Sequence, residues 1–96
     1  MLNQTVIMGR VVELLSYEDK GNKLMELKLA VPRSYKNGEG KQIIDFVPCQ
    51  VSGSMAQNVA AYCSVDDLVG VKGRLEVIDN TLKLVAEKVT FLTTKK

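Results

Sequence analysis

The chain has 96 residues, of which 46% are hydrophobic, 25% charged and 5% aromatic, and its formal net charge is +2. This length and composition predict one domain spanning residues 1–96 with a modest core, and they exclude an intrinsically disordered chain. The apolar runs are too short to span a membrane and the start lacks the features of a secretory signal, so we expect a cytoplasmic protein with no membrane partner.

Reactive side chains are scarce in this sequence. It has no histidine and only two cysteines, Cys49 and Cys63, which are too few soft donors for a four-ligand zinc site. Cys49 falls at an apolar position of its predicted strand, where a buried thiol acts as a small hydrophobic side chain, and Cys63 has no evident base partner. We therefore expect no catalytic residue, no metal and no cofactor, and a binding function rather than an enzyme.

The first two predicted strands come from hydrophobic patterning. Residues 5–16 are rich in β-branched and aliphatic side chains and contain Gly9, which indicates the bulge or tight bend that a small barrel needs. Residues 17–22 are charged and end in Gly-Asn, which predicts a turn. Residues 24–33 alternate between apolar and polar side chains, as a half-buried strand does.

The middle of the chain predicts a third strand followed by a helix. A polar, glycine-containing hairpin loop at residues 36–41 leads into a strand from residue 42 to about residue 52. Ser54 then precedes good helix formers, and it is the expected N-cap of a helix over residues 55–62 that is two to three turns long.

The last third of the chain predicts a second hairpin. Apolar and polar side chains alternate from residue 68 to Val77, which predicts a fourth strand. Residues 79–80 are Asp-Asn, a pair that suits a tight turn because asparagine tolerates left-handed conformations. A fifth strand over residues 82–92 follows, and its alternation slips around residues 86–87, which predicts a bulge.

The order of the elements is three strands, one helix and two strands, with a frayed basic end at residues 93–96. A single helix after the third of five strands is the order of an OB-fold. We predict an all-β protein, a five-stranded OB-fold Greek-key barrel with one short helix between strands 3 and 4. This fold is a frequent platform for single-stranded nucleic acid.

Phe46 is the first candidate for contact with a nucleic acid. It shares one face of the third strand with Pro48, Gln50 and Ser52, and the opposite face of that strand is apolar. A ring on a solvent-facing strand surface is a candidate stacking platform, because every nucleobase has a π-face. The alternative is that Phe46 packs under a loop or in a contact between subunits.

Tyr35 is the second candidate. It lies just beyond the second predicted strand, and Arg33, Lys36 and Lys41 surround it in sequence. Cationic side chains interleaved with aromatic rings suit a phosphate backbone with stacked bases. The alternative is that the Tyr35 ring covers one end of the barrel.

Lys72 and Arg74 are two further cationic candidates. They form the outward side of the fourth predicted strand, where the alternative is an ordinary solvated face. Lys20 and Lys23 flank a turn, and we interpret them as solubilising residues.

Short motifs in a fixed order run through nearly the whole chain. They are the start Met1-Leu2-Asn3, Gly9-Arg10, Leu29-Ala30-Val31 followed by Arg33, Asp45-Phe46 with Cys49, Ala56-x-Asn58-Val59-Ala60-x-Tyr62, and Leu68-Val69-Gly70-Val71-x-Gly73-Arg74-Leu75. No single motif is highly specific, but the ordered set resembles the bacterial single-stranded-DNA-binding protein family.

The resemblance implies an OB-fold subunit that binds and protects single-stranded DNA without sequence preference during replication, recombination or repair, usually as a homotetramer. Carried over residue by residue, Phe46 and Tyr35 match base-stacking aromatics of the family. Arg33, Lys72 and Arg74 lie where the family places polar and basic contacts. The candidate nucleic-acid-binding residues, with Arg10 added from the second motif, are Arg10, Arg33, Tyr35, Lys36, Lys41, Phe46, Lys72 and Arg74.

Three features depart from the family pattern. Ser52 occupies a position where relatives commonly have a third stacking aromatic, and a turn at residues 79–80 replaces a long basic and aromatic arm. The sequence as given ends at Lys96 without the acidic tip that relatives use to recruit other proteins, so tail-mediated recruitment is not expected. Each missing stacking partner could forfeit about 1–3 kcal/mol, and binding is then expected to depend more on charge and salt.

An alternative on the same fold is a module that resembles the primosomal replication protein, which is usually dimeric and binds a helicase as well as single strands. The short hairpin and missing tail favour this alternative, whereas the helix and fourth-strand motifs favour the first reading. A small barrel gains stability by burying surface between copies. We expect residues 2–8 to pair with those of a second copy; a tetramer supports the first reading and a dimer the second.

Overall fold

Five strands and one helix make up residues 1–93, the part of the chain that the structure, a computed structural model, describes. They are β1 (Thr5–Asp19), β2 (Asn22–Lys36), β3 (Gln42–Ser52), α1 (Gly53–Tyr62), β4 (Leu68–Ile78) and β5 (Thr81–Phe91). The strands close into a barrel in the order β1-β2-β3-β5-β4. The predicted five-stranded OB-fold barrel with a helix between strands 3 and 4 is therefore confirmed, whereas most of the predicted basic end, residues 94–96, lies outside the described residues.

Side chains that alternate along the strands fill the barrel. The fully buried ones are Val11, Leu27, Leu29, Cys49, Val51, Val69, Val71 and Leu84, and Val59 of the helix joins them. The alternation predicted for β2 is confirmed. Burial raises the pKa of the Cys49 thiol to about 12, so that this group stays protonated and acts as the small apolar side chain that the sequence predicts.

Two tight turns join neighbouring antiparallel strands. Asp79 and Asn80 have φ of 51° and 63°, which confirms the predicted turn between β4 and β5. Lys20 and Gly21, with φ of 52° and 83°, form a second such turn between β1 and β2. The prediction of a longer turn at residues 17–22 was wrong. A two-residue left-handed turn matches the twist of the strands, so β1 and β2 stay paired up to Asp19 and Asn22 on either side of it.

The irregularity in β1 lies at a different residue from the one predicted. The register of β1 against β2 shifts between Val11 and Glu13, and so Val12 is the extra residue. Gly9 has another role, since a Cβ atom there would lie 2.6 Å from the carbonyl oxygen of Ala30. Glycine is needed at this point because β1 passes close to the backbone of β2.

The predicted bulge in β5 is confirmed. Lys72 pairs with Lys88, but the next residue, Gly73, pairs with Ala86, and so Glu87 is the extra residue. A Cβ atom on Gly73 would overlap the backbone of β5. The bulge and this glycine together allow β4 and β5 to bend around the barrel.

Helix α1 begins earlier than predicted. Gly53 is its first residue and has a φ of 65°, and Ser52 is the N-cap, although its side chain makes no capping hydrogen bond. Ser54 lies inside the first turn, so its assignment as the N-cap was wrong; the left-handed Gly53 redirects the chain one residue sooner. The helix buries Ala56 and Val59 against the barrel, and no helix among residues 1–93 is long and apolar enough to cross a membrane.

Two hairpins extend past the points at which β1 stops pairing with β2 and with β4. Pairing of β1 with β2 ends at Arg10 and Ala30, after which β2 pairs with β3 alone in the described part of the chain. Pairing of β1 with β4 ends at Gly73. We call residues 30–46 the β2–β3 arm and residues 74–85 the β4–β5 arm.

The apolar alternation of β4 continues onto the β4–β5 arm. Val77 and Leu82 are direct cross-strand partners, and they are 70% and 56% exposed. Val69 and Val71 lie on the same side of β4 and are fully buried. The alternation therefore predicts the side of the strand correctly, but only the first half of that side faces a core.

Candidate nucleic-acid interface

The ring of Phe46 faces solvent. It is 59% exposed and stands on the outer face of the β2–β3 arm, opposite Ala30. Pro32 and Ile44 form the next pair on the same face, and both are exposed. These side chains make a shallow apolar strip in which Phe46 is the aromatic member. The alternative in which a loop covers Phe46 does not occur in residues 1–93.

Arg10 lies in the same row as Phe46. Arg10 pairs with Ala30, and Ala30 pairs with Phe46, so the three residues cross three adjacent strands. At the usual strand spacing the Cα atoms of Arg10 and Phe46 are about 10 Å apart. The Arg10 guanidinium donates a hydrogen bond of 3.1 Å to the carbonyl oxygen of Asp66. The structure thus places Arg10 two strands away from Phe46 in the same row, which the strand pattern alone had not indicated.

Arg33 and Tyr35 form a hydrogen-bonded cluster with Asp45. The Nε and Nη2 atoms of Arg33 donate to the two carboxylate oxygens of Asp45 at 2.8 and 3.0 Å. Nη1 of Arg33 donates to the hydroxyl of Tyr35 at 3.0 Å, and Cζ of Arg33 lies 5.9 Å from the ring centroid. Tyr35 is inside β2 and not beyond it, and its ring is 59% exposed rather than covering the barrel end.

The ion pair shifts the pKa of each partner in the direction that favours its charged form. The hydrogen bonds to Asp45 and then to Tyr35 raise the pKa of the Arg33 guanidinium. The hydrogen bonds from Arg33 hold the pKa of the Asp45 carboxyl below its usual range. The charge of Arg33 is therefore balanced by the Asp45 carboxylate at neutral pH, which the sequence alone did not indicate.

The two exposed rings lie on opposite sides of the arm. Asp45 and Phe46 are consecutive in β3, and consecutive side chains of a strand point to opposite faces. The hydrogen bonds of Asp45 place Arg33 and Tyr35 on its own side. A single strand that contacts both rings must therefore pass around the edge or tip of the arm.

Lys36 and Lys41 flank the loop at the tip of the β2–β3 arm. The side-chain oxygen of Asn37 accepts hydrogen bonds from the backbone N–H groups of Glu39 and Lys41 at 2.9 and 3.0 Å, which fixes the loop. Both lysines are exposed, and neither forms an ion pair within residues 1–93. Lys36 follows Tyr35 directly in β2, and the contact of both lysines with a nucleic acid stays a prediction.

Lys72 is not in this group. It lies on the outer face of β4 between Val6 of β1 and Lys88 of β5. Val6 is four residues from Arg10 along β1, a distance of about 13 Å. Lys72 and Lys88 therefore form a separate basic spot away from both aromatic rings. The two like charges lie directly opposite each other and repel.

Arg74 is surrounded by carboxylates. Its Nε donates to Glu76 at 2.5 Å and its Nη1 to Glu87 at 3.2 Å, and these hydrogen bonds, that to Glu76 foremost, raise its pKa. Arg74 shares a row with Gln50 of β3 through Val85, on the same side of β3 as Phe46. Neither carboxylate was predicted as a partner of Arg74 from the sequence, and Glu87 is the extra residue of the β5 bulge.

One further ion pair crosses this face. Nζ of Lys83 in β5 donates to Glu26 of β2 at 2.6 Å, so that the pair spans β3 near Gln50. Among the ion pairs formed within residues 1–93 it is the least exposed, with 14% of the Lys83 side chain and 23% of the Glu26 side chain accessible to solvent. Within those residues no group of three or more His, Cys, Asp or Glu side chains is placed to hold a metal ion.

Comparison with known sequences agrees with this arrangement. The sequence profile of the single-strand binding protein family matches residues 2–92. The chain is 36% identical to Single-stranded DNA-binding protein 1 of Clostridium acetobutylicum, over 99% of this chain and 97% of that protein. It is 38% identical to Single-stranded DNA-binding protein B of Bacillus subtilis, over 79% of this chain and 69% of that protein.

Solved structures share the fold at lower identity. The small single-stranded DNA-binding protein from Streptomyces coelicolor has a TM-score of 0.76 and 19% identity, over 95% of this chain and 94% of that one. The protein PriB from Ralstonia solanacearum has a TM-score of 0.79 and 14% identity, over 97% and 100%. The family matches nearly the whole described chain, and it is named for binding and not for a reaction, in agreement with the expected lack of catalytic activity. This chain therefore belongs to the single-strand binding protein family.

Proposed function

We propose that this protein binds single-stranded DNA without sequence preference and without catalysis. The observation that supports this most strongly is the β2–β3 arm, which exposes the rings of Phe46 and Tyr35 and carries Lys36 and Lys41 at its tip. Contiguous exposed apolar surface, such as the strip of Phe46, Ile44 and Pro32, often marks an interaction site. Membership of the single-strand binding protein family supports the same conclusion.

The mechanism follows from the chemistry of the arm. The lysines attract the phosphate backbone and release its condensed counterions on contact. Bases then stack on Phe46 and Tyr35, whose rings accept any base because every base has a π-face. Neither step reads the hydrogen-bonding edge of a base, so the binding has no sequence preference.

Titration with fluorescently labelled oligo-dT at several salt concentrations tests the proposal. Each ring is expected to contribute about 1–3 kcal/mol, so replacing Phe46 and Tyr35 together by Ala lowers the affinity at least about 30-fold. The matched control replaces Lys20 and Lys23 by Ala, two cations near a turn of β1 and β2, and is expected to have a much smaller effect. Undetectable binding by the unaltered protein at low salt would refute the function.

We propose further that the protein assembles as a homotetramer. One support is the edge of residues 5–8 in β1, which faces away from β4 and has no strand partner within the described part of the chain. Val6 and Met8 on this segment are 72% and 58% exposed. Open edges and exposed apolar side chains favour pairing with another copy. The strand begins at Thr5, and so the expected pairing segment is shorter than the sequence indicated.

Mass measurement in solution, with and without a long poly-dT strand, tests the assembly. A tetramer in both conditions agrees with the proposal, and a dimer indicates that a single interface forms. A variant with V6E and M8E is expected to dissociate to smaller species, because each carboxylate would be buried without a partner. A monomer at all concentrations contradicts the proposal.

A further inference from the structure

The carboxylate of Asp45 is fully engaged by Arg33. Both of its oxygens accept hydrogen bonds from the guanidinium, at 2.8 and 3.0 Å, in the two-pronged geometry that fixes orientation as well as distance. Arg33 and Asp45 stand on neighbouring strands of the β2–β3 arm, where Asp45 pairs with Val31. Arg33 lies two residues beyond Val31, in the segment where the register of β2 against β3 shifts, so the ion pair joins the two strands diagonally.

The remaining contact of the guanidinium is with Tyr35. Nη1 donates to the hydroxyl at 3.0 Å, and Cζ lies over the ring, 5.9 Å from its centroid. Three of the five N–H donors of Arg33 are used in these contacts. Tyr35 nevertheless remains 59% exposed.

We propose that Asp45 is a positioning residue for base stacking, which fixes the Arg33 guanidinium against Tyr35 so that the two groups together form a stacking surface. The inference rests on the proposed binding of single-stranded DNA and specifies how one part of that site works. Arg33 then contributes a flat cationic surface and does not neutralise a phosphate, because its charge is already compensated by Asp45. The lysines at the tip of the arm supply the phosphate contacts.

Salt dependence separates a stacking arginine from one that contacts a phosphate. The logarithm of the affinity for a single strand falls with the logarithm of the salt concentration by about 0.7 for each phosphate neutralised. We expect R33Q to bind oligo-dT more weakly with an unchanged slope. We expect D45N to steepen the slope by about 0.7, because the released guanidinium becomes free to contact a phosphate.

Tyrosine fluorescence gives a second measurement. The chain has three tyrosines and no tryptophan, so the Y17F/Y62F background leaves Tyr35 as the only intrinsic fluorophore of this kind. Quenching of Tyr35 by oligo-dT is expected to be smaller in D45N than in the background, and D45E is expected to recover part of it. K20Q serves as the matched control, and unchanged thermal midpoints exclude a general loss of structure.

Three outcomes are decisive. A slope that becomes shallower by about 0.7 in R33Q identifies Arg33 as a phosphate contact and overturns the inference. A D45N variant with unchanged slope and unchanged quenching also overturns it. Both results leave the proposed function intact, whereas absence of binding by the unaltered protein refutes the function itself.

Discussion

The two arms of the barrel have the same construction and different surface chemistry. Each continues two antiparallel barrel strands and carries one candidate arginine held by carboxylates, Arg33 by Asp45 and Arg74 by Glu76 and Glu87. The β2–β3 arm adds two exposed aromatic rings and two lysines without an acidic partner in the described part of the chain. The β4–β5 arm has no aromatic residue, and it exposes the apolar pair Val77 and Leu82 next to its turn.

This difference indicates a division of labour. Compensated arginines occur on both arms, so they do not distinguish a binding surface from a structural one. Uncompensated lysines next to exposed rings occur on the β2–β3 arm, and that combination suits a polyanion with stacked bases. We therefore expect changes to the β2–β3 arm to be measured mainly as affinity, and changes to the β4–β5 arm mainly as stability.

The largest expected effect on stability comes from G73A at the base of the β4–β5 arm. A Cβ atom there would overlap the carbonyl oxygen of Val85, which belongs to the backbone of β5 and cannot rotate away as a side chain could. Overpacking costs about 1–3 kcal/mol, and a clash with backbone belongs at the upper end. Thermal unfolding followed by circular dichroism is expected to show a midpoint lowered by more than about 10 °C.

The matched control is G70A on the same strand. The nearest atom to a Cβ there is Cδ1 of Leu92 at 3.7 Å, an ordinary contact distance. We expect its free energy of unfolding to stay within about 0.5 kcal/mol of that of the unaltered protein. If G73A and G70A had equal stabilities, β5 would be free to move away from Gly73, and the structural role assigned to this arm would be wrong.

The next effect concerns charge on the β2–β3 arm. The double variant K36Q/K41Q removes two lysines whose loop is held by Asn37 and not by the lysines themselves. Each phosphate contact contributes about 0.7 to the salt slope for a single strand, so the slope is expected to become shallower by about 1.4. Titrations with oligo-dT between low and moderate salt measure this directly.

The equivalent change on the β4–β5 arm is R74Q. Glu76 and Glu87 already compensate the Arg74 guanidinium, and so we expect the slope to stay as in the unaltered protein. The comparison between the arms fails if R74Q changes the slope as much as the loss of a lysine does.

Strand patterning predicted which side of each strand faces the interior. The parity of β3 predicted that Cys49 is buried and that Phe46 stands on the other face, and the slip near residue 86 predicted the bulge at Glu87. These features depend on a period of two residues, which is local information. The length of the arms was not predictable in this way, because Val77 continues the pattern of Val71 after the neighbouring strand has ended.

Charge compensation was the main feature of the site that the sequence did not reveal. Asp45 is twelve residues from Arg33, and Glu87 is thirteen residues from Arg74. In each pair the two residues lie on neighbouring strands next to an irregularity, the register shift after Pro32 in β2 and the bulge at Glu87 in β5. The sequence of a single strand therefore shows the arginine without its partner. The carboxylate that balances its charge becomes visible only when the neighbouring strand is placed beside it.

The smallest expected effect tests how the β4–β5 arm is tied to the barrel. Lys83 on this arm reaches over β3 to Glu26 of β2, whereas the Arg33–Asp45 pair joins two strands of a single arm. β3 and β5 pair only at Cys49–Leu84 and Gln50–Val85 within the described residues, so this ion pair supports the shortest seam of the barrel. We expect K83M to lower the free energy of unfolding by about 1 kcal/mol.

The pH dependence identifies the ion pair as the cause of that loss. The hydrogen bond to Glu26 raises the pKa of Lys83 above its ordinary value of 10.5. A raised pKa in the folded state means that the stabilisation is fully present below about pH 10.5 and disappears as the pH rises through the folded value. The difference in thermal midpoint between the unaltered protein and K83M should therefore be constant from pH 7 to 9 and shrink above pH 10.5. A difference that stays constant into strong alkali would assign the loss to the packing of the lysine stem, and the seam would then be held by apolar contact instead of charge.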